Sequence, residues 1–164
     1  MAEYRRLEDV RIKNTHFVWR TNFSGTVSEY NQQGYRKFNI EIPEELATEM
    51  IEEGWNVKPK ARTKDSDEIM YILECRVRFD KIPPEVFMLV DGKKVKLTEN
   101  NIHRLDGMQT GKVDVLLNPS YWNNCGRSGY TAYVKKMMIE VIQDDFDKDY
   151  NLNDDGDDEM PWEP

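Results

Sequence analysis

The chain has 164 residues, 38% hydrophobic and 33% charged, enough for one domain with a real core. Its net charge of −8 is unevenly placed: residues 143–164 hold ten acids against one lysine, which leaves residues 1–142 close to neutral. No stretch approaches the ~18–20 apolar residues of a membrane span, and the first ten residues, MAEYRRLEDV, lack a signal core, so a cytoplasmic protein with no membrane partner is expected.

Residues 10–24, VRIKNTHFVWRTNFS, place Phe17, Trp19 and Phe23 on one face and His16, Val18 and Arg20 on the other, a strand with aromatics crowding one side. Residues 25–34 form a polar loop carrying Tyr30, followed by Tyr35, Arg36 and Lys37. Residues 36–42, RKFNIEI, alternate again, with Phe38, Ile40 and Ile42 toward a core. A helix is expected near 43–53: Pro43 suits the first turn, Glu44 and Glu45 suit the positive end of the dipole, and Leu46, Met50 and Ile51 make an apolar stripe. Gly54 ends it and Trp55 follows.

Residues 56–62, NVKPKAR, set Lys58, Lys60 and Arg62 opposite Val57, Pro59 and Ala61, and Pro59 makes this an edge strand or an extended arm. After a turn at 63–68, IMYILECRVRF (69–79) is the strongest strand, with Arg76 and Arg78 on its polar side. Pro83-Pro84 breaks the chain, and residues 86–98 read as a hairpin turning at Asp91-Gly92. Residues 99–110 are a short helix or irregular link, and 112–118 a strand closed by Pro119. Residues 119–129 are a loop bearing Tyr121, Trp122 and Arg127, and 130–143 a long final strand.

About seven strands, one helix and no βαβ rhythm predict a mostly antiparallel β domain, a five-stranded OB-type barrel with an added hairpin over residues 1–142. Residues 143–164 are expected to be a flexible, disordered acidic tail. Cys75 on an apolar strand face and Cys125 beside a glycine turn suit reduced structural thiols.

Three basic clusters lie beside aromatics: Tyr35 with Arg36 and Lys37; Trp55 with Lys58, Lys60 and Arg62; and Tyr121-Trp122 with Arg127 and Tyr130. Trp19, Arg20, Tyr30, Arg76 and Arg78 complete the candidate set. Single-stranded nucleic acid calls for this pairing, cations for the backbone and aromatic faces for the bases. The competing structural reading is that Phe17, Trp19 and Phe23 are core and that basic rows are solvated or paired with acids. Catalysis finds no support: His16 and His103 stand in no HxH or HExxH pattern, and no CxxC, nucleophile elbow or phosphate loop occurs. No enzyme activity, cofactor or metal is expected. A calcium loop starting at Asn151 fails because its twelfth position is Trp162 instead of Glu.

The tip Asp157-Asp158-Glu159-Met160-Pro161-Trp162 resembles the C-terminal signature of bacterial single-stranded-DNA-binding proteins, an acidic run followed by an apolar residue, Pro and Phe. Here Trp stands for Phe, and Glu163-Pro164 extend beyond it. The body is similar to a bacteriophage single-stranded-DNA-binding family through residues 15–25, 52–62, 76–89 and 116–137. The resemblance implies an OB-like fold, sequence-tolerant binding of single strands in phage replication or recombination, and no enzymatic activity. It also implies replication or recombination proteins as partners of the tail. A monomer or small homo-oligomer fits this size. Two alternatives compete: an interaction or inhibitor module whose acidic arm mimics DNA, and a nuclease built from scattered carboxylates.

Overall fold

The computed structural model describes residues 6–29 and 31–142. The strand expected over 10–24 is bent into β1 (Val10–Thr15) and β2 (Phe17–Asn22). The bend follows Asn14, whose φ of 58° lies where few side chains are tolerated, and the ladder slips between Ile12 and Thr15. β1 pairs antiparallel with β8 (Thr110–Asn124), and β2 pairs antiparallel with β3 (Arg36–Ile42). β3 pairs with β5 (Ile69–Val77), β5 runs parallel to β9 (Arg127–Val141), and β9 returns antiparallel to β8. The path β1-β8-β9-β5-β3-β2 therefore begins and ends on two halves of one bent segment, and the buried Thr15 hydroxyl donates to the Glu41 carbonyl across the join. This is the OB-like, mostly antiparallel arrangement expected from the strand pattern.

The added hairpin is β6 (Glu85–Val90) and β7 (Lys93–Leu97), joined by the two-residue turn Asp91-Gly92, with β6 parallel to β9. β4 (Val57–Ala61) pairs with β5, as an edge strand containing Pro59 must. Pro119 does not close a strand. β8 runs through it to Asn124, because β1 covers β8 only as far as Leu117 and a residue without an N–H is tolerated where β8 has one neighbour. The loop expected at 119–129 is thus the end of a long hairpin, turning at Cys125-Gly126.

Alternation packs the interior. Phe38, Ile40, Leu73, Cys75, Leu117, Met137 and Ile139 are buried, and burial raises the Cys75 thiol pKa well above its ordinary value. Phe17 meets Phe23 and Phe38 edge-on at centroid distances of 5.5 and 5.1 Å. α1 (Glu44–Glu53) buries Ala47 and Met50, while Ile51, expected on that stripe, is 45% exposed because it lies one residue round the helix from Met50. Gly54 caps α1 in the left-handed region, its N–H donating to the Met50 and Ile51 carbonyls, and this turn sends Trp55 inward. A 3₁₀ helix spans Ile102–Gly107; its Asp106 carboxylate accepts from the Phe23 and Ser24 N–H groups and the Thr21 hydroxyl. That contact pins the start of the 25–34 loop.

Candidate nucleic-acid interface

Strand register decides which side chains share a surface. Residues opposite one another across a ladder project to the same side, as do residues two apart along a strand. Lys37 on β3 lies opposite Arg76 on β5, Arg76 opposite Tyr133 on β9, and Tyr133 opposite Asn118 on β8. Their neighbours Phe38, Cys75 and Ala132 are buried, so this row faces outward. Counting along the strands adds Trp122 opposite Gly129, Arg127 opposite Asn124, Lys58 opposite Ile72 and Lys60 opposite Met70. Lys37, Lys58, Lys60, Arg76, Trp122 and Arg127, read from four separate segments, thus share one outer face.

Three of the expected aromatics are presented to solvent. Trp19 is 55% exposed with a φ of 63°, in the register slip between the Val18–Asn39 and Asn22–Lys37 pairs, and Arg20 beside it is also exposed. The bulge explains why Trp19 leaves the face of Phe17 and Phe23. Trp122 is 41% exposed and lies against Gly129, where an added Cβ would come 3.2 Å from the indole and 2.7 Å from the Gly54 carbonyl oxygen. Tyr35 is held by Asn31, which accepts from its N–H and donates to its carbonyl. The Arg76 guanidinium stacks 4.2 Å from the Tyr35 ring centroid.

The other described site candidates are buried or engaged by neighbouring groups. Trp55 and Tyr130 are buried, 4% and 2% exposed, with ring centroids 6.4 Å apart, and the Tyr130 N–H donates to the Gly54 carbonyl. Strand parity turns Tyr130 inward, and the Gly54 turn does the same for Trp55. Tyr121 is half-buried, edge-on to Tyr130 at 5.4 Å. Arg36 donates from Nε to the Phe23 carbonyl and lies 5.4 Å from the Phe79 ring centroid, so it braces the loop against the barrel. Arg62 is clamped between Glu41 and Glu68 at 2.6 and 3.1 Å, and its hydrogen bond holds the Glu41 carboxyl below the usual range. Arg78 pairs with Asp80 and lies 5.5 Å from the Tyr133 ring centroid. Tyr30 and the tip residues Asp157, Asp158, Glu159, Met160, Pro161 and Trp162 lie outside the described residues.

Tyr133 is the outward aromatic that sequence reasoning missed. The signal was present: Tyr130 and Tyr133 are three apart on one strand, so they project to opposite faces and only one can join the interface. Of the cations, Lys37 and Arg76 approach Glu74 at 4.0 and 3.5 Å, whereas Arg20, Lys58, Lys60 and Arg127 make no ion pair with another described residue. No group of three or more metal-ligating side chains occurs among the described residues, and no described helix is long and apolar enough to cross a membrane.

A family model described as "Putative phage ssDNA-binding domain" matches residues 1–160. No curated protein matches the chain. Among solved structures, the single-stranded DNA-binding protein from bacteriophage Enc34 in complex with ssDNA is similar at a TM-score of 0.55 and 12% identity, over 83% of this chain and 88% of that one. A C-terminal truncation of the Enc34 protein gives 0.52 at 12% identity, over 83% and 87%. At this identity the two structures speak for the fold.

Proposed function

The chain belongs to the phage ssDNA-binding domain family, and from that premise we propose sequence-tolerant binding of single-stranded DNA on the outer face of β3, β5, β9 and the β8–β9 hairpin. The observation that carries this reading is the shared register of Lys37, Arg76, Tyr133, Trp122 and Arg127 on one side of the sheet. Trp19, Tyr35, Tyr133 and Trp122 offer faces on which bases stack, each contact worth roughly 1–3 kcal/mol and indifferent to base identity. Lys58 and Lys60 sit about 7 Å apart along β4, a repeat comparable to that of phosphates in an extended strand. The Enc34 protein, which shares this fold, is complexed with ssDNA in its structure, and that supports the same ligand here.

The role extends to phage replication or recombination. The acidic tail, with ten acids against one lysine, competes with DNA for the basic face, and its Met160-Pro161-Trp162 tip docks on replication partners. The test is fluorescence anisotropy of labelled oligo-dT at low and high salt, with the full chain and with residues 1–142. Salt-sensitive binding that tightens without the tail is expected. If neither protein binds oligo-dT, the reading is wrong.

A further inference from the structure

The outward row Lys37–Arg76–Tyr133–Asn118 does not end on flat surface. Beyond Tyr133 it enters a groove of about 320 Å³ between the β8–β9 ladder and the crossover that leaves β5. Its walls are of two kinds. Ile82, Pro83 and Pro84 are apolar, and Arg78, Lys81 and Lys135 bring positive charge. Ile82 is 88% exposed, the most of any large hydrophobic side chain among the described residues, and the two prolines after it restrict the backbone that presents it. Lys135 is tied to Asp9 at 2.9 Å and Arg78 to Asp80 at 2.9 Å, so these charges hold fixed positions at the rim.

We propose that this groove is a subsite for one nucleotide of the bound strand, taking a base against Ile82 and Pro83 and its phosphate at Lys81. The inference rests on the single-strand reading above and adds where the strand goes after it leaves Tyr133. The occupant follows from continuity and chemistry. The row of stacking and cationic groups leads into the groove without a break in register, and a base with its phosphate needs an apolar wall beside positive charge. The volume, at the lower end of the roughly 300–1,000 Å³ of ligand pockets, suits one nucleotide and not a folded segment. The β5–β6 crossover thereby becomes part of the binding surface, and the site is longer than the barrel face alone.

The test is a length series of oligo-dT bound by the full-length wild type, Ile82→Ala, Lys81→Ala and Trp122→Ala. Because Ile82 and Lys81 are exposed, both replacements leave the fold intact. Ile82→Ala weakens binding roughly three- to tenfold for oligomers long enough to reach the groove, leaves the shortest bound oligomers unaffected, and keeps the salt dependence of the wild type. Lys81→Ala lowers the slope of log K against log salt by about 0.7, the mark of one lost phosphate contact on a single strand. If Ile82→Ala binds every length as the wild type does while Trp122→Ala is weakened, the groove is not a subsite, although the single-strand reading stands. If the wild type binds no oligo-dT, the single-strand reading fails and the subsite falls with it.

Discussion

Replacing Tyr130 and Tyr133 by alanine, one at a time, separates core from interface on a single strand. The Tyr130 ring is 2% exposed, with Trp55 at 6.4 Å and Tyr121 at 5.4 Å, so its removal empties a space that the barrel cannot fill. Truncating a buried aromatic costs about 3–5 kcal/mol, a large share of the roughly 5–15 kcal/mol that holds a domain together. Tyr133 is half-exposed and outward, and its loss costs little more than the ±0.5 kcal/mol usual at a surface. For DNA the order reverses: one lost base stack of about 1–3 kcal/mol lowers affinity about 5- to 150-fold. Urea denaturation and oligo-dT anisotropy on both variants read the two quantities. Tyr130→Ala should shift the unfolding midpoint strongly, and Tyr133→Ala the dissociation constant. A Tyr133→Ala variant that loses stability but not affinity would falsify the register assignment on which the interface rests.

Three further outcomes are expected. If Arg20, Lys58, Lys60 and Arg127 supply the phosphate contacts, the slope of log K against log salt for oligo-dT is about −3, and a slope near zero would remove phosphate neutralisation from the account. The Glu41 pKa is lowered chiefly by its hydrogen bond from Arg62, so the stability it contributes is complete above the ordinary glutamate pKa of about 4.3 and is lost as pH falls through the lowered folded value. The melting temperature of Glu41→Gln should accordingly fall less steeply below pH 4 than that of the wild type, and parallel curves would refute the coupling. Gly129→Ala forces a Cβ to within 2.7 Å of the Gly54 carbonyl oxygen and 3.2 Å of the Trp122 ring. It should destabilise by about 1–3 kcal/mol and alter tryptophan emission, and an unchanged unfolding midpoint would contradict the packing.

Much of the fold was legible because alternation is a local signal. Phe38, Ile40 and Ile42 on β3, and Leu73, Cys75 and Val77 on β5, point inward as their spacing requires, and Asp91-Gly92 turns its hairpin. Alternation fails at a bulge, where a residue with positive φ leaves the line of its strand; the slip here is of two residues, so Phe17 and Phe23 on either side keep the core face. Trp19 is such a residue, and its neighbours' pattern gave no warning that it would leave the aromatic face it shares in sequence with Phe17. The site was legible as composition and blurred as geometry. Trp55 beside Lys58 looks like a stacking platform until the Gly54 turn and the contact with Tyr130 place it in the core. Arg62 looks free until Glu41, twenty-one residues earlier, is brought to 2.6 Å by the strand pairing. Such partners are products of tertiary contact, and no window of sequence contains them.

On the proposed interface, the division between paired and unpaired cations has a consequence for how a strand would be held. At the centre of the face, Lys37 and Arg76 flank Glu74, and Arg76 also covers the Tyr35 ring, so these groups are ordered before DNA arrives. Their charge is partly spent on the carboxylate, which weakens attraction for a phosphate but fixes the geometry of a stacking surface. At the rim, Lys58, Lys60 and Arg127 engage no described carboxylate, so a phosphate can bind them without breaking an ion pair. Ordered aromatics inside and unpaired charge outside suit the sequence-tolerant binding proposed above. Stacking gives each base the same contact, and long, flexible lysines follow a backbone whose phosphates shift as the bases change.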